Sequence, residues 1–178
     1  GRAFYLAGGY KYAMAGEGAC FLHCPPGYGL RPRDTGWYAG FTALEEGGSD
    51  VPYARDGSRF FGATFDVTAL YRFNAVQDWL SAEGWTVAKM LAHVRSIERV
   101  FLNEIGKGNA LDPATLLVAD EARRGRFLCF RTDRAGAIKA KLAAQNIIVD
   151  HRGDRLRIGF GIYHGEDDAL RLARALAG

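Results

Sequence analysis

Lys11 stands between two tyrosines in Gly8-Gly9-Tyr10-Lys11-Tyr12, directly after the apolar run Ala3-Phe4-Tyr5-Leu6-Ala7. A sheltered lysine pays several kcal/mol to remain a cation, so it tends toward the neutral amine, which can condense with an aldehyde. Gly16 and Gly18 would let backbone approach a bulky ligand there. The plainer reading is a surface lysine lying over aromatic faces. Cys20 and Cys24 have C-x3-C spacing, but no second Cys/His pair in the form a zinc site needs accompanies them, so no metal is expected. They read as two thiols on a buried strand. His23, inside the same apolar run, reads as a hydrogen-bonded core residue, and His164 as a cap of the last helix. Cys129, within Phe127-Leu128-Cys129-Phe130, is expected to be an inert strand thiol.

These side chains need elements to hold them. Ala19-Cys20-Phe21-Leu22-His23-Cys24, closed by Pro25-Pro26-Gly27, has the continuous apolar pattern of a strand buried on both faces. Residues 25–60 carry turn signals, including Glu46-Gly47-Gly48-Ser49-Asp50, and read as a long functional loop. Val67, Leu70, Phe73, Val76 and Leu80 recur at helical spacing over 66–83, with Asp66 or Thr68 to cap the start and Gly84 to end it. Thr86 caps a second helix with the face Val87, Met90, Leu91, Val94, Ile97, Phe101 and Ile105, stopped by Gly106 and Gly108. A strand over Arg126–Arg131 follows, after the basic cluster Arg123, Arg124 and Arg126, which reads as a solvated turn. Then come a helix capped by Asp133 and running to Ala144, and a strand over Ile147–Asp150. A hairpin turn at Arg152-Gly153-Asp154 leads to a return strand over Arg155–Tyr163. Glu166, Asp167 and Asp168 suit the positive end of a last helix carrying Leu170, Leu172 and Leu176. The strand–helix–strand–strand–helix order makes a compact α+β layer.

Composition narrows the function class. The 178 residues are 48% hydrophobic and 24% charged, enough to bury a core. A net charge of +3 with no basic tract gives no nucleic-acid footprint. No apolar stretch approaches the roughly 20 residues that span a bilayer, and no signal peptide is expected. Three cysteines, an odd number, suggest free thiols and a reducing cytoplasm. The opening at Gly1 on an apolar run, without a methionine, suggests a piece of a longer chain.

Four stretches fall in a telling order. Gly9-Tyr10-Lys11-Tyr12, followed by a Gly-rich segment, an apolar strand, Arg31-Pro32-Arg33 and Gly36-Trp37, resembles the lysine segment of kynureninase and its class V aminotransferase relatives. Arg59-Phe60-Phe61-Gly62-Ala63-Thr64-Phe65 is similar to the next signature of that family. Arg124-Gly125-Arg126-Phe127-Leu128-Cys129-Phe130 resembles the strand entering its small domain. Leu156-Arg157-Ile158-Gly159-Phe160 resembles the strand with its carboxylate-binding arginine.

The resemblance implies an α/β chain of the pyridoxal-phosphate fold type I. Residues 1–65 would be the end of the large cofactor domain, and 66–178 the connecting helices and an α+β small domain. It implies that Lys11 holds pyridoxal 5'-phosphate as a Schiff base and then moves the substrate α-proton. Tyr10 would hydrogen-bond the cofactor phosphate. Trp37 and Thr64 would approach the phosphate in the neighbouring subunit of a homodimer. Thr64 is followed by Phe65, where the family often has proline. Arg157 would grip the substrate α-carboxylate with a two-pronged bond; a strand-face arginine paired with Asp154 or another neighbour is the alternative, and Arg155 is its nearest competitor. The remaining cofactor contacts precede the lysine in the family, so these residues alone are not expected to build a competent site.

The implied reaction is less fixed than the cofactor. Desulfuration needs a mobile reactive cysteine, which Cys129 does not offer. Kynureninase proper has a Gly-Trp followed by an aromatic, a glycine and a histidine. Gly36-Trp37-Tyr38-Ala39-Gly40 lacks that histidine, and Gly159-Phe160-Gly161-Ile162-Tyr163 lacks the family's proline-rich segment. An aminotransferase-like enzyme acting on an amino acid is therefore expected, ahead of a kynureninase-like hydrolase. A non-catalytic dimerisation or ligand-binding module is the reading from another class.

Overall fold

The computed structural model describes residues 3–48, 50, 52–106 and 111–177. The turn residue Ser49 and the expected helix stop at Gly108 lie outside the described residues. The chain forms two compact units, Gly1–Gly84 and Trp85–Gly178, rather than dividing at the expected 65/66. The first long helix stays with the N-terminal unit, where its Ala69 packs with Ala15 and Ala19 beside Phe73. Arg72 Nη2 donates to Glu17 O at 2.8 Å.

In the N-terminal unit, β1 (Tyr5–Gly8) pairs antiparallel with β2 (Cys20–His23), with Leu6 opposite Leu22. The expectation of a strand buried on both faces fails. All four β2 residues are exposed, and on β1 only Ala7 is half-buried. A two-stranded ribbon offers no second layer to either of its faces. Residues 25–48 and 52–67 are mostly irregular, and one buried cation ties several of them together. Arg59, 7% exposed, donates Nε to Gly29 O at 2.8 Å and Nη1 to Asp56 O at 2.5 Å. Its Nη2 reaches Tyr28 O at 3.2 Å. Short 3₁₀ turns at Trp37–Ala43 and Gly57–Phe60 break the loop expected there.

Helix α1 spans Thr68–Ala82. Asp66 supplies its cap, accepting from Thr68 N at 2.8 Å and Thr68 Oγ1 at 2.6 Å. Both donors hold the Asp66 carboxyl below its ordinary pKa, the hydroxyl contributing most. Gly84, at φ +65°, ends the run as its type allows. The apolar face is thinner than its periodicity suggests: Leu80 is buried, but Val67 and Leu70 are exposed.

The C-terminal unit has the expected order: β3 (Leu128–Arg131), α3 (Ala135–Ala143), β4 (Asp150–Arg152), β5 (Arg155–Ile158) and α4 (Glu166–Leu176), entered by α2 (Val87–Ile105). The sheet runs β3-β5-β4, all antiparallel. Thr86 Oγ1 accepts from Lys89 N at 3.2 Å and starts α2, as expected. Met90, Val94, Ile97, Phe101 and Ile105 are buried, whereas Val87 and Leu91 are exposed. The core gathers Val94, Ile97, Phe101 and Ile105 with Leu128, Phe130, Leu142, Leu156, Ile158, Leu172 and Leu176. The Phe101 ring meets Phe130 at 6.4 Å and Phe160 at 6.0 Å.

Several boundaries move. Strand β4 starts at Asp150 and β5 stops at Ile158, because Gly159 and Gly161 begin a turn. Thr132, not Asp133, caps α3: its Oγ1 accepts from Arg134 N at 3.2 Å. His164 closes the turn before α4, accepting at Nδ1 from Gly161 N at 2.9 Å. The helix itself is capped by Asp168 Oδ2, which accepts from Gly165 N at 2.9 Å.

Of the basic cluster, Arg123 is exposed in a turn as expected and Arg126 is half-buried, but Arg124 turns inward. Arg124 is 9% exposed and its Nη2 reaches Glu98 Oε2 at 3.2 Å. Arg95 Nη1 bonds the same oxygen at 2.6 Å. The two guanidiniums also donate to five backbone carbonyls of the segment entering β3, those of Val118, Ala119, Glu121, Arg124 and Gly125. A carboxylate on α2 thus anchors the chain that leads into the sheet.

Candidate functional site

The turn carrying Lys11 is pinned at both ends. Gly9 N donates to Ala19 O at 2.6 Å, Ala15 N to Gly9 O at 2.9 Å, and Met14 N to Lys11 O at 3.0 Å. A Cβ on Gly9 would be tightly packed, 3.0 Å from Ala19 O and 3.2 Å from Phe73 Cδ2. The amine is not sheltered, contrary to the sequence expectation. Lys11 is exposed, with Nζ 5.3 Å from the centroid of the exposed Tyr10 ring. A hairpin without a covering layer holds the lysine backbone firmly but cannot exclude water from its side chain.

Trp37 and Thr64 are both exposed. Their segments meet backbone to backbone: Tyr38 N donates to Gly62 O at 3.4 Å, and a Cβ on Gly36 would lie 2.0 Å from that oxygen. Thr35 Oγ1 lies 3.1 Å from the carbonyls of both Arg59 and Phe61. The Tyr38 ring stacks on Phe41 at 4.9 Å and meets Phe61 at 5.7 Å. Trp37 and Thr64, one and two residues from this junction in sequence, carry an indole N–H and a hydroxyl, both donor types that suit an anion.

Gly40 is equally tight. A Cβ there would stand 2.5 Å from Pro52 O and 3.0 Å from Pro52 Cγ. The position where kynureninase-like sequences carry histidine is closed to any side chain. His23 is exposed rather than a core residue. It lines a groove of about 650 Å³ beside β2 with Phe21, Leu22, Arg59 and Phe65. The thiols are free, with Cys20 exposed and Cys24 and Cys129 half-buried. Cys20 and Cys24 are thus not on a buried strand. Among the described residues, no group of three or more His, Cys, Asp or Glu is placed to hold a metal ion. No helix among them is long and apolar enough to cross a membrane.

Arg157 sits mid-strand on β5, with Cys129 of β3 on one side and Asp150 of β4 on the other. Leu156 and Ile158 turn into the core, so Arg157 points from the opposite face. Its guanidinium is paired with Asp150, not with Asp154. Arg155 lies 3.9 Å and Arg131 3.5 Å from Asp154. The sequence reading missed Asp150, although the signal was present. A two-residue turn at Gly153-Asp154 sets Arg152 against Arg155, and counting back sets Asp150 against Arg157.

The C-terminal unit is thus a mixed α/β layer, its helices on one face of a small antiparallel sheet and an arginine-bearing opposite face, the architecture of the C-terminal domain of pyridoxal-phosphate enzymes of fold type I. More particularly, residues 92–176 match the family model of the kynureninase C-terminal domain. No curated protein matches the chain.

The donor set suits the cofactor such enzymes use. Lys11 offers a primary amine, Tyr10, Trp37 and Thr64 offer hydrogen-bond donors, and Arg157 offers a guanidinium fork, the groups that an aldehyde, a phosphate and a carboxylate would need. Lys11 and Arg157 stand in different units.

Proposed function

We propose that this protein is a pyridoxal 5'-phosphate-dependent enzyme that transfers the amino group of an amino acid, acting as a cytoplasmic homodimer. Lys11 would hold the cofactor through its amine and afterwards carry the substrate α-proton. Tyr10 would bond the cofactor phosphate, and Trp37 and Thr64 that of the partner subunit. Arg157 would orient the substrate by its α-carboxylate. The cofactor supplies an electron sink for the α-carbon; these residues supply attachment, orientation and a proton at Nζ.

Gly40 carries the choice of transfer over hydrolysis. Without space for a side chain there, the histidine of kynureninase-like sequences has no place in this loop. The family match over residues 92–176 favours the other reading, a kynureninase-like hydrolase. Borohydride reduction of the complete protein loaded with pyridoxal phosphate, followed by peptide mass spectrometry, tests the cofactor role: an adduct on Lys11 is expected, and its absence would refute the enzyme reading in favour of a binding module. Conversion of an added 2-oxo acid to its amino acid would support transfer. Cleavage of kynurenine without an amino acceptor would support hydrolysis instead.

A further inference from the structure

The sheet face around Arg157 holds more positive charge than one carboxylate needs. Register places two rows across the three strands on this face: Cys129, Arg157 and Asp150, then Arg131, Arg155 and Arg152. The second row is three guanidiniums on neighbouring strands about 5 Å apart. Like charges directly opposite each other destabilise a sheet. Asp154 offsets part of the repulsion, from 3.5 Å to Arg131 and 3.9 Å to Arg155. Arg152 has no ionic partner among the described residues. Four guanidiniums thus face two carboxylates, Asp150 and Asp154, on the face of the sheet opposite the core of the C-terminal unit. Side chains of Arg131 and Arg155 remain 60% and 58% exposed.

We infer that this second row receives an anionic group on the side chain of the substrate whose α-carboxylate Arg157 holds, so that the substrate is an amino acid with an acidic side chain. The inference rests on the carboxylate-gripping role of Arg157 given above. The two rows are two residues apart along each strand, about 7 Å, a gap that flexible arginine side chains can close around one small molecule. Arg157 is already paired with Asp150, but a guanidinium has five N–H donors and can serve a second carboxylate. The row is only three residues wide, too small for the six to ten phosphate contacts typical of a nucleic-acid binder. A side-chain carboxylate and a phosphate ester would both satisfy it, since arginine forks match either.

The test follows the arginine Nε–Hε signals of the ¹⁵N-labelled full chain by NMR during titration with L-norvaline, L-glutamate and O-phospho-L-serine. Norvaline should shift Arg157 alone. At least one acidic amino acid should shift Arg157 together with Arg152 and Arg155, and saturate at about tenfold lower concentration; which of the two does so identifies the acidic group. The double variant R152Q/R155Q should bring that ligand back to the norvaline level while leaving the Arg157 shift. R152Q alone, which breaks no ion pair, serves if the double variant disturbs the sheet amides. Equal saturation by all three ligands, with shifts confined to Arg157, would overturn the inference and leave the role of Arg157 standing. Absence of any Arg157 shift would overturn both.

Discussion

Glu98 offers the sharpest test of what holds the C-terminal unit together. It is fully buried on α2, and its Oε2 alone receives both Arg95 and Arg124. Among the described residues, its Oε1 and Arg124 Nε have no hydrogen-bond partner. Removing the carboxylate leaves two guanidiniums in the interior without a counter-charge, and breaking a buried pair in this way costs about 3–5 kcal/mol. For a unit of this size that lowers Tm by at least about 12 °C. Glu98→Gln keeps an oxygen for both arginines but removes the charge, whereas Glu98→Ala removes both, so their difference isolates the hydrogen bonds. Replacing Arg95, Glu98 and Arg124 together by apolar residues should not recover the loss, because five backbone carbonyls would lose their donors. As a control, Arg99→Ala breaks an exposed pair with Glu121 at 3.7 Å and should cost less than about 1 kcal/mol. Urea unfolding, with hydrogen exchange at the α2 and β3 amides to assign the transition, measures all four variants. A Glu98→Gln cost within about 1 kcal/mol of zero would refute the reasoning, for the charge would then be dispensable.

Three further outcomes are expected. Gly36→Ala, whose Cβ would meet Gly62 O at 2.0 Å, should destabilise the N-terminal unit by about 1–3 kcal/mol or more and raise proteolysis of the 25–67 segment; wild-type behaviour in limited proteolysis would contradict the close approach. Thr86→Ala removes the α2 cap and should cost about 0.5–2 kcal/mol, read by thermal unfolding, with Thr86→Ser restoring most of it. The Asp66 carboxyl is held below its ordinary pKa by the Thr68 hydroxyl and amide. A lowered folded-state value means stability that is present above the unfolded pKa and lost as pH falls through the folded one. The first turn of α1 should therefore fray in acid, seen as a shift of the Thr68 amide in an NMR titration, and Asp66→Asn should flatten that titration.

The C-terminal unit was largely legible in the sequence because its elements are amphipathic and short-range. Val94, Ile97, Phe101 and Ile105 mark one helical stripe, and the turn at Gly153-Asp154 fixes the hairpin. The failures there come from polar residues whose partners are distant. Nothing local says that Arg124 turns inward, since its partner Glu98 lies 26 residues earlier. The N-terminal unit was less legible because burial of β2 depends on what lies against it, and an apolar run is the same string whether covered or bare. Lys11 illustrates this: the glycines and tyrosines around it set a defined turn, but shelter is a property of neighbours in space. Nor does sequence alone reveal that position 40 is closed, because the obstruction is the carbonyl of Pro52.

The meeting of Gly36 with Gly62 has a consequence for how such chains can change. It ties two distant stretches into one joint, so the indole at 37 and the hydroxyl at 64 cannot drift apart independently. The exposed residues 45–48 between them can be lengthened at small entropic cost. A side chain arising at Gly36 would push on Gly62 O and shift both segments together, whereas Gly62 has open space for one. Variation in related chains should therefore gather in the intervening span and be tolerated at position 62, while position 36 stays glycine.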